Sequence, residues 1–255
     1  MGDTTMSGTV VHIHEKAADV SVEQPHIDTF IGRDPRTFTR KDAVCFARAS
    51  GLRETGMSVN EIALLYDLLE EFKPRSIVEL GRDFGTSSRL FYQHIVRNGG
   101  RLESWDLKIH PEIITGKAFA RSWGPVTNIP TEDSHILEYG MPYYGDGYQL
   151  IFNVAHSIKS PVRDPATKLE FPISVEPFID FLLIDTEHST WDALGEYARW
   201  RHYLHGGALV AFHDSNLPNV RRAIDIVHEL EGSRITDTWE PSHADGFGVH
   251  VLRIR

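Results

Sequence analysis

Two apolar runs in this 255-residue sequence each end in side chains able to do chemistry. Phe178 to Ile184 (FIDFLLI) leads into Asp185, Glu187 and His188, and Ala208 to Phe212 (ALVAF) leads into His213, Asp214 and Asn216. Neighbouring parallel strands end on the same edge of a sheet, so these six side chains are expected to converge there. Asp185 and Asp214, with Asn216 or Glu187, offer the oxygen donors that a hard divalent ion such as Mg2+ favours. A metal held in that way lowers the pKa of a coordinated substrate hydroxyl and orients it. His188, three residues beyond Asp185, is then the expected catalytic base, because an imidazole accepts a proton near neutral pH. The alternative is a structural hydrogen-bond cluster that caps the helix after each strand, and for His213 neither reading is preferred.

A second constellation lies earlier, in Ile77 to Ser88 (IVELGRDFGTSS), where an apolar strand runs into Gly81, a short loop, Gly85 and a helix. Gly81 permits a tight turn and Gly85 permits close approach of backbone to a ligand. The amides near Thr86, Ser87 and Ser88 are placed to hold a carboxylate or phosphate. Glu79 would accept from the ammonium of a bound amino-acid moiety, directly or through water. Asp106 closes the next strand about 21 positions beyond Gly85, where its two oxygens suit a vicinal ribose diol. Capping of the following segment is the alternative for Asp106. Glu132, Asp133 and Ser134 follow a weaker third strand and are placed to touch the adenine of such a nucleoside, although an N-cap made by Asp133 or Ser134 accounts for them almost as well.

These residues need a scaffold of strands alternating with helices, which the hydrophobic periodicity supplies. Strands are expected at Arg75 to Leu80, Arg101 to Trp105, Pro125 to Ile129, Phe178 to Ile184, Ala208 to Phe212 and Gly248 to Ile254. Helices are expected at Arg40 to Ala49, Ser58 to Phe72, Thr86 to Val96, Trp191 to Tyr203 and Val220 to Leu230, with Gly206 and Gly207 stopping the fourth. Residues 1–57 read as an arm and a helix, and residues 58–255 as one catalytic domain. Met1 to Arg36 lacks periodicity and reads as a flexible arm or an oligomer contact, in which the His12 and His14 pair is incidental. Residues 140–177, rich in Gly, Pro and Tyr, form an insertion that serves either as a substrate wall or lid, or as an oligomer loop. Its Tyr143, Tyr144, Tyr148, Asn153 and His156 either line an acceptor pocket or make an ordinary surface cluster. Trp239 and His243, in an expected loop before the last strand, are similar candidates.

Composition narrows the partners. A formal charge of -10 repels phosphate backbones and anionic lipid, which speaks against nucleic acid. Cys45, the only cysteine, excludes an intrachain disulfide and a multi-thiolate metal site and fits a reducing, cytoplasmic setting. No apolar run approaches the roughly 20 residues needed to span a bilayer, and the start lacks a basic then apolar leader, so the chain reads as neither secreted nor membrane-embedded. A small-molecule acceptor and a homo-oligomer are expected.

The order Glu79, Gly81, Gly85 and helix resembles the first motif of the class I S-adenosylmethionine-dependent methyltransferases, and GRDFGTSS lacks the three-glycine pattern of dinucleotide dehydrogenases. The pair IDTEHSTWDAL and HGGALVAFHD is similar to the subgroup containing macrocin-type sugar O-methyltransferases and cephalosporin hydroxylase-like methyltransferases. The resemblance spans roughly Ser58 to Arg255. It implies an α/β, Rossmann-like methyltransferase fold: a mostly parallel seven-stranded sheet flanked by helices, here with an N-terminal helical extension. It also implies S-adenosylmethionine as cofactor, bordered by Asp185, with Mg2+ on Asp185 and Asp214 and His188 as base. Members often carry two adjacent acids after the fifth strand, whereas here His213 precedes Asp214. The implied reaction is methylation of a hydroxyl on a small specialised metabolite, with a natural-product sugar the leading candidate. The alternatives are metal-free methylation at nitrogen or carbon, and a non-catalytic cofactor-binding protein.

Overall fold

The computed structural model describes residues 10–14, 37–50, 57–81, 86–106, 127–130, 137–140, 148–154, 178–186, 188–241 and 246–255. In chain order the elements are β1 (Val10–His14), α1 (Arg40–Ser50), α2 (Val59–Phe72), β2 (Ser76–Leu80), α3 (Thr86–Asn98), β3 (Gly100–Asp106), β4 (Thr127–Pro130) and β5 (Leu137–Gly140). They continue with β6 (Tyr148–Val154), β7 (Ile179–Ile184), α4 (Thr190–Trp200), β8 (Leu204–His213), α5 (Pro218–Glu231), β9 (Ile235–Pro241) and β10 (Val249–Ile254).

The main sheet runs β1-β9-β10-β8-β7-β2-β3-β6. Its central pairs, β3 with β6, β2 with β3, β2 with β7 and β7 with β8, are parallel, and only β10 runs antiparallel to its neighbours. The reversal of strand order falls between β2 and β7, the place where ligands settle in open α/β sheets. Alternation along the buried strands divides the core. Ile77, Phe181, Leu183 and Ala211 face α2 and α3, where Phe91 packs on Phe181 at 5.4 Å between ring centroids. Val78, Leu182, Ile184 and Phe212 face α4 and α5 with Tyr197, Val220 and Ile224. Helices therefore cover both sheet faces, as parallel strands require.

Several elements depart from the expected pattern. Among the described residues the sheet has eight strands rather than seven, because Val10–His14, expected to carry no element, pairs in parallel with β9. The expected third strand, here β4, is not in this sheet; it pairs with β5 as a separate antiparallel ribbon. Its place beside β3 is taken by β6, which lies inside the expected insertion at 140–177. Tyr148 to Val154 (YQLIFNV) alternates in apolar character as a strand should, but the surrounding Gly, Pro and Tyr obscured it. Gly206 and Gly207 lie within β8 instead of ending a helix; α4 stops at Trp200 and a single 3-10 turn covers Arg201–Tyr203. Trp239 sits in β9, not in a loop, and is 7% exposed against Phe72, so it belongs to the core. Among the described residues no helix is long and apolar enough to cross a membrane.

Candidate active site

At the carboxyl end of β2 the chain turns at Gly81, whose φ is +86°. The Gly81 N–H donates to the Trp105 carbonyl at 2.9 Å, and the Asp185 N–H donates to the Leu80 carbonyl at 2.7 Å. These bonds bring the ends of β2, β3 and β7 together. A Cβ at residue 81 would lie 1.7 Å from the Asp185 carbonyl oxygen, so only glycine fits. Glu79, one residue before the end of β2, is fully buried. Its Oε1 accepts from the Ser87 hydroxyl at 2.6 Å, and its Oε2 accepts from Ser88 at 2.6 Å and Ser104 at 2.5 Å. The structure gives this carboxylate three hydroxyl donors, which tie the first turn of α3 and strand β3 to β2. Thr86 and Ser87 open α3 and are buried there. Asp106 is the last residue of β3. Gly85, Asp133, Ser134 and Glu187 lie outside the described residues, as do Tyr143, Tyr144, His156 and His243. The strand that precedes Asp133 and Ser134, β4, is not part of the main sheet.

Asp185 follows β7 directly, and β8 delivers His213 at its own end, next to Asp214. Asp214 adopts φ +55°, a left-handed conformation that aspartate tolerates better than most residues. That turn, closed by the Leu217 N–H on the Asp214 carbonyl at 2.8 Å, leads into α5 with Pro218 in its first turn. Asp185, His188 and Asp214 come together: one ligand atom from each lies within 4.8 Å of the others. His188 Nε2 is 2.6 Å from Asp214 Oδ2, and the His188 side chain is 55% exposed while that of Asp214 is 6% exposed. Asn216, expected as a further ligand, is exposed, and its Nδ2 lies 3.5 Å from the Gly246 carbonyl oxygen.

His213 lies beneath this group. Its Nδ1 donates to Asp185 Oδ1 at 2.8 Å and lies 3.4 Å from Asp214 Oδ2. Its Nε2 faces Glu61 Oε2 at 3.5 Å, a charge contact looser than a hydrogen bond. Burial works against a charged imidazole here, but Asp185 above all, then Asp214 and Glu61, hold the His213 pKa well above the ordinary histidine value. Burial likewise pushes the carboxyl pKa values of Glu61 and Asp214 up, and His213 overcomes it so that both end lowered. Three carboxylates and two imidazoles are thus interleaved, with the charge of each partly balanced by its neighbours.

Glu61 was not singled out from the sequence. Ser58 and Glu61 have the S-x-x-E spacing of a capping box, and both of its bonds form at the start of α2. The spacing marks a helix start, but it cannot show that Glu61 Oε1 also accepts from the Gly248 N–H at 2.6 Å, 187 positions away.

With this geometry in place, relatives can be compared. A family model described as a methyltransferase domain matches residues 78–215, more than half of the chain. The chain belongs to the methyltransferase-domain family. No curated protein matches the sequence. Among solved structures, an SAH-bound methyltransferase from Podospora anserina is 11% identical, with a TM-score of 0.51 over 90% of this chain and 92% of that one. An O-methyltransferase from Bacillus cereus in complex with SAH is 15% identical, with a TM-score of 0.50 over 89% and 94% of the two chains. A putative caffeoyl-CoA O-methyltransferase from Staphylococcus aureus is 11% identical, with a TM-score of 0.51 over 86% and 94%. At these identities the likeness is one of fold. It is the α/β Rossmann-like fold of the class I methyltransferases, and this protein is a methyltransferase of that class.

Proposed function

We propose that this methyltransferase uses S-adenosylmethionine to methylate a hydroxyl of a small specialised metabolite, with a natural-product sugar as the leading acceptor class. The observation that carries this reading is the Asp185, His188 and Asp214 group standing at the sheet edge next to the Gly81 turn. The residues fit the cofactor. Gly81 lets the end of β2 close against Asp185, where a side chain would collide, and α3 follows at the same edge, its first-turn amides offered to the cofactor carboxylate. Glu79, directly or through water, and Gly85, Thr86, Ser87, Asp106, Asp133 and Ser134 remain the proposed contacts, with Asp106 for the ribose; Glu79 also holds the first turn of α3 through Ser87 and Ser88. When bound, the cofactor supplies an electrophilic sulfonium methyl.

The remaining chemistry belongs to the protein. His188 Nε2 lies 2.6 Å from Asp214 Oδ2, close enough for the carboxylate to orient the ring and favour the tautomer with its hydrogen on Nε2 and Nδ1 as the basic atom. His188 Nδ1 then takes the acceptor hydroxyl proton, and Asp214 stabilises the imidazolium as it forms. Two carboxylates and an imidazole also fit a divalent cation, which Asp185 and Asp214 would hold, with Asn216 as a further proposed ligand. Bound there, Mg2+ or a similar ion would acidify and orient the hydroxyl. A second reading rests on the same 2.6 Å contact: His188 and Asp214 alone make a base and its orienting carboxylate, with no metal required.

The test is calorimetric titration with S-adenosylhomocysteine, with and without Mg2+, followed by labelled methyl transfer to a panel of glycosides and nucleotide sugars with and without chelator. The proposal expects binding of the cofactor product, transfer to a hydroxyl, and transfer abolished in Asp185→Asn with cofactor affinity retained. Absence of binding overturns the cofactor assignment, and transfer insensitive to chelator favours the metal-free dyad.

A further inference from the structure

On the α5 side of the sheet, away from the residues assigned above, two histidines meet. His228 Nε2 on α5 lies 3.2 Å from His250 Nε2 on β10, with the rings edge to face at 67°. Two polar groups meet the other ring nitrogen of His250: Glu240, and Arg221, whose Nη1 lies 3.4 Å from Nδ1. His250 Nδ1 is 2.5 Å from Glu240 Oε1 on the adjacent strand β9, so it donates there. Arg221 Nη1 donates to the same Glu240 oxygen at 2.7 Å and keeps it ionised; hydrogen bonding from His250, then Arg221, lowers the Glu240 pKa to about 2 against the opposing effect of burial. When His250 carries its proton on Nδ1 alone, its Nε2 presents a lone pair toward His228 Nε2, 3.2 Å away.

A carboxylate behind Nδ1 and a bare Nε2 in front is the arrangement that precedes metal ligation by histidine, because the carboxylate fixes the tautomer and raises the basicity of the ligand atom. Burial, above all, lowers the His228 pKa and so favours the neutral ring, the form that binds metal. Ligation asks of His228 only that its Nε2 carry no hydrogen. Two imidazole nitrogens 3.2 Å apart also match the ligand–ligand edge around an ion bound at about 2.0–2.1 Å to each. The His228 ring is only half buried, which lets solvent reach the pair and complete the coordination.

We propose that His228 and His250 bind one borderline transition ion, Zn2+ or Cu2+ rather than Mg2+, as a clip between α5 and β10 that shares no residue with the Asp185, His188 and Asp214 group. Imidazole pairs suit those ions, whereas Mg2+ prefers oxygen. An ion that binds the folded chain alone raises its melting temperature, by roughly 5–10 °C at a free concentration a hundredfold above Kd for a domain of this size.

The experiment is a zinc titration of the full chain, followed by thermal melting and by histidine ring 15N NMR. Zinc is expected to raise Tm, to shift the Nε2 resonances of both His228 and His250, and to keep doing so in Asp214→Asn. His228→Gln and His250→Gln should abolish the shift in Tm, and Glu240→Gln should weaken binding by about tenfold or more. Should either histidine variant fail to fold, the ring resonances of the wild-type chain decide alone. Zinc that moves only His188 or His213, or that moves no ring nitrogen, overturns the proposal, and so does a His228→Gln chain that keeps the full thermal shift.

Discussion

Replacing Gly81 by alanine tests the central geometric claim, that the β2 turn closes against Asp185, and so shapes the edge proposed to hold the cofactor, only because the backbone there carries no side chain. At φ +86° an L-residue is strained by about 1–2 kcal/mol. The added Cβ would also lie 1.7 Å from the Asp185 carbonyl oxygen and 2.5 Å from its carbon, so backbone must move. The groups that must part are those joined by the Asp185 to Leu80 and Gly81 to Trp105 hydrogen bonds, at 2.7 and 2.9 Å, each worth about 1 kcal/mol net. The sum is roughly 3–4 kcal/mol, a large fraction of ordinary domain stability. For a chain of this length it corresponds to a fall in Tm on the order of 10 °C. The assay is urea and thermal unfolding of Gly81→Ala beside Gly206→Ala, where a Cβ meets nothing within 4 Å and a change within about 0.5 kcal/mol is expected. Calorimetry with S-adenosylhomocysteine should show at least a tenfold loss of affinity, about 1.4 kcal/mol, in the first variant alone. A Gly81→Ala chain with wild-type Tm and affinity would refute the reasoning.

His94, whose Nε2 meets the Pro74 carbonyl at 2.9 Å, has its pKa lowered to about 4, chiefly by burial. The unfolded chain therefore takes up this proton first as pH falls through 6.5, and stability is full above that value and lost progressively toward 4. Between pH 7 and 5 the wild type should lose roughly 2 kcal/mol more than His94→Gln in urea unfolding, and equal slopes would remove the assignment. Glu61→Gln replaces a buried acceptor of the Ser58 and Gly248 amides that also faces His213, so unfolding should show a loss of roughly 1–3 kcal/mol; a loss under about 0.5 kcal/mol would mean that the carboxylate is dispensable. Phe91→Ala empties a fully buried site against Phe181 and should cost about 3–5 kcal/mol in denaturant unfolding, with retained stability contradicting the packing.

How much of this was legible follows from the range of each signal. The central strands β2, β7 and β8 announce themselves because both faces are buried, which leaves continuous apolar runs ending in polar residues. Asp185, His188 and Asp214 could be nominated for the same reason, since parallel strands must release their ends at one edge. Strand β6 escaped the sequence reading because its alternating pattern sits within Gly-, Pro- and Tyr-rich surroundings, and β4 was misassigned because local propensity does not specify a pairing partner. Trp239 looked like a loop aromatic until β9 placed it against Phe72.

The amino-acid order alone determined the alternation of strands and helices, the glycine turn after β2 and the kinds of side chain delivered to the sheet edge, because each depends on a periodicity or steric rule acting over a few residues. Only the tertiary structure decided the partners. Glu79 goes to three hydroxyls, Glu61 reaches from a helix cap to Gly248 and His213, and His228 meets His250 across the fold. These pairings depend on distances between segments far apart in the chain, and buried polar groups take whichever partner packing brings within hydrogen-bond range.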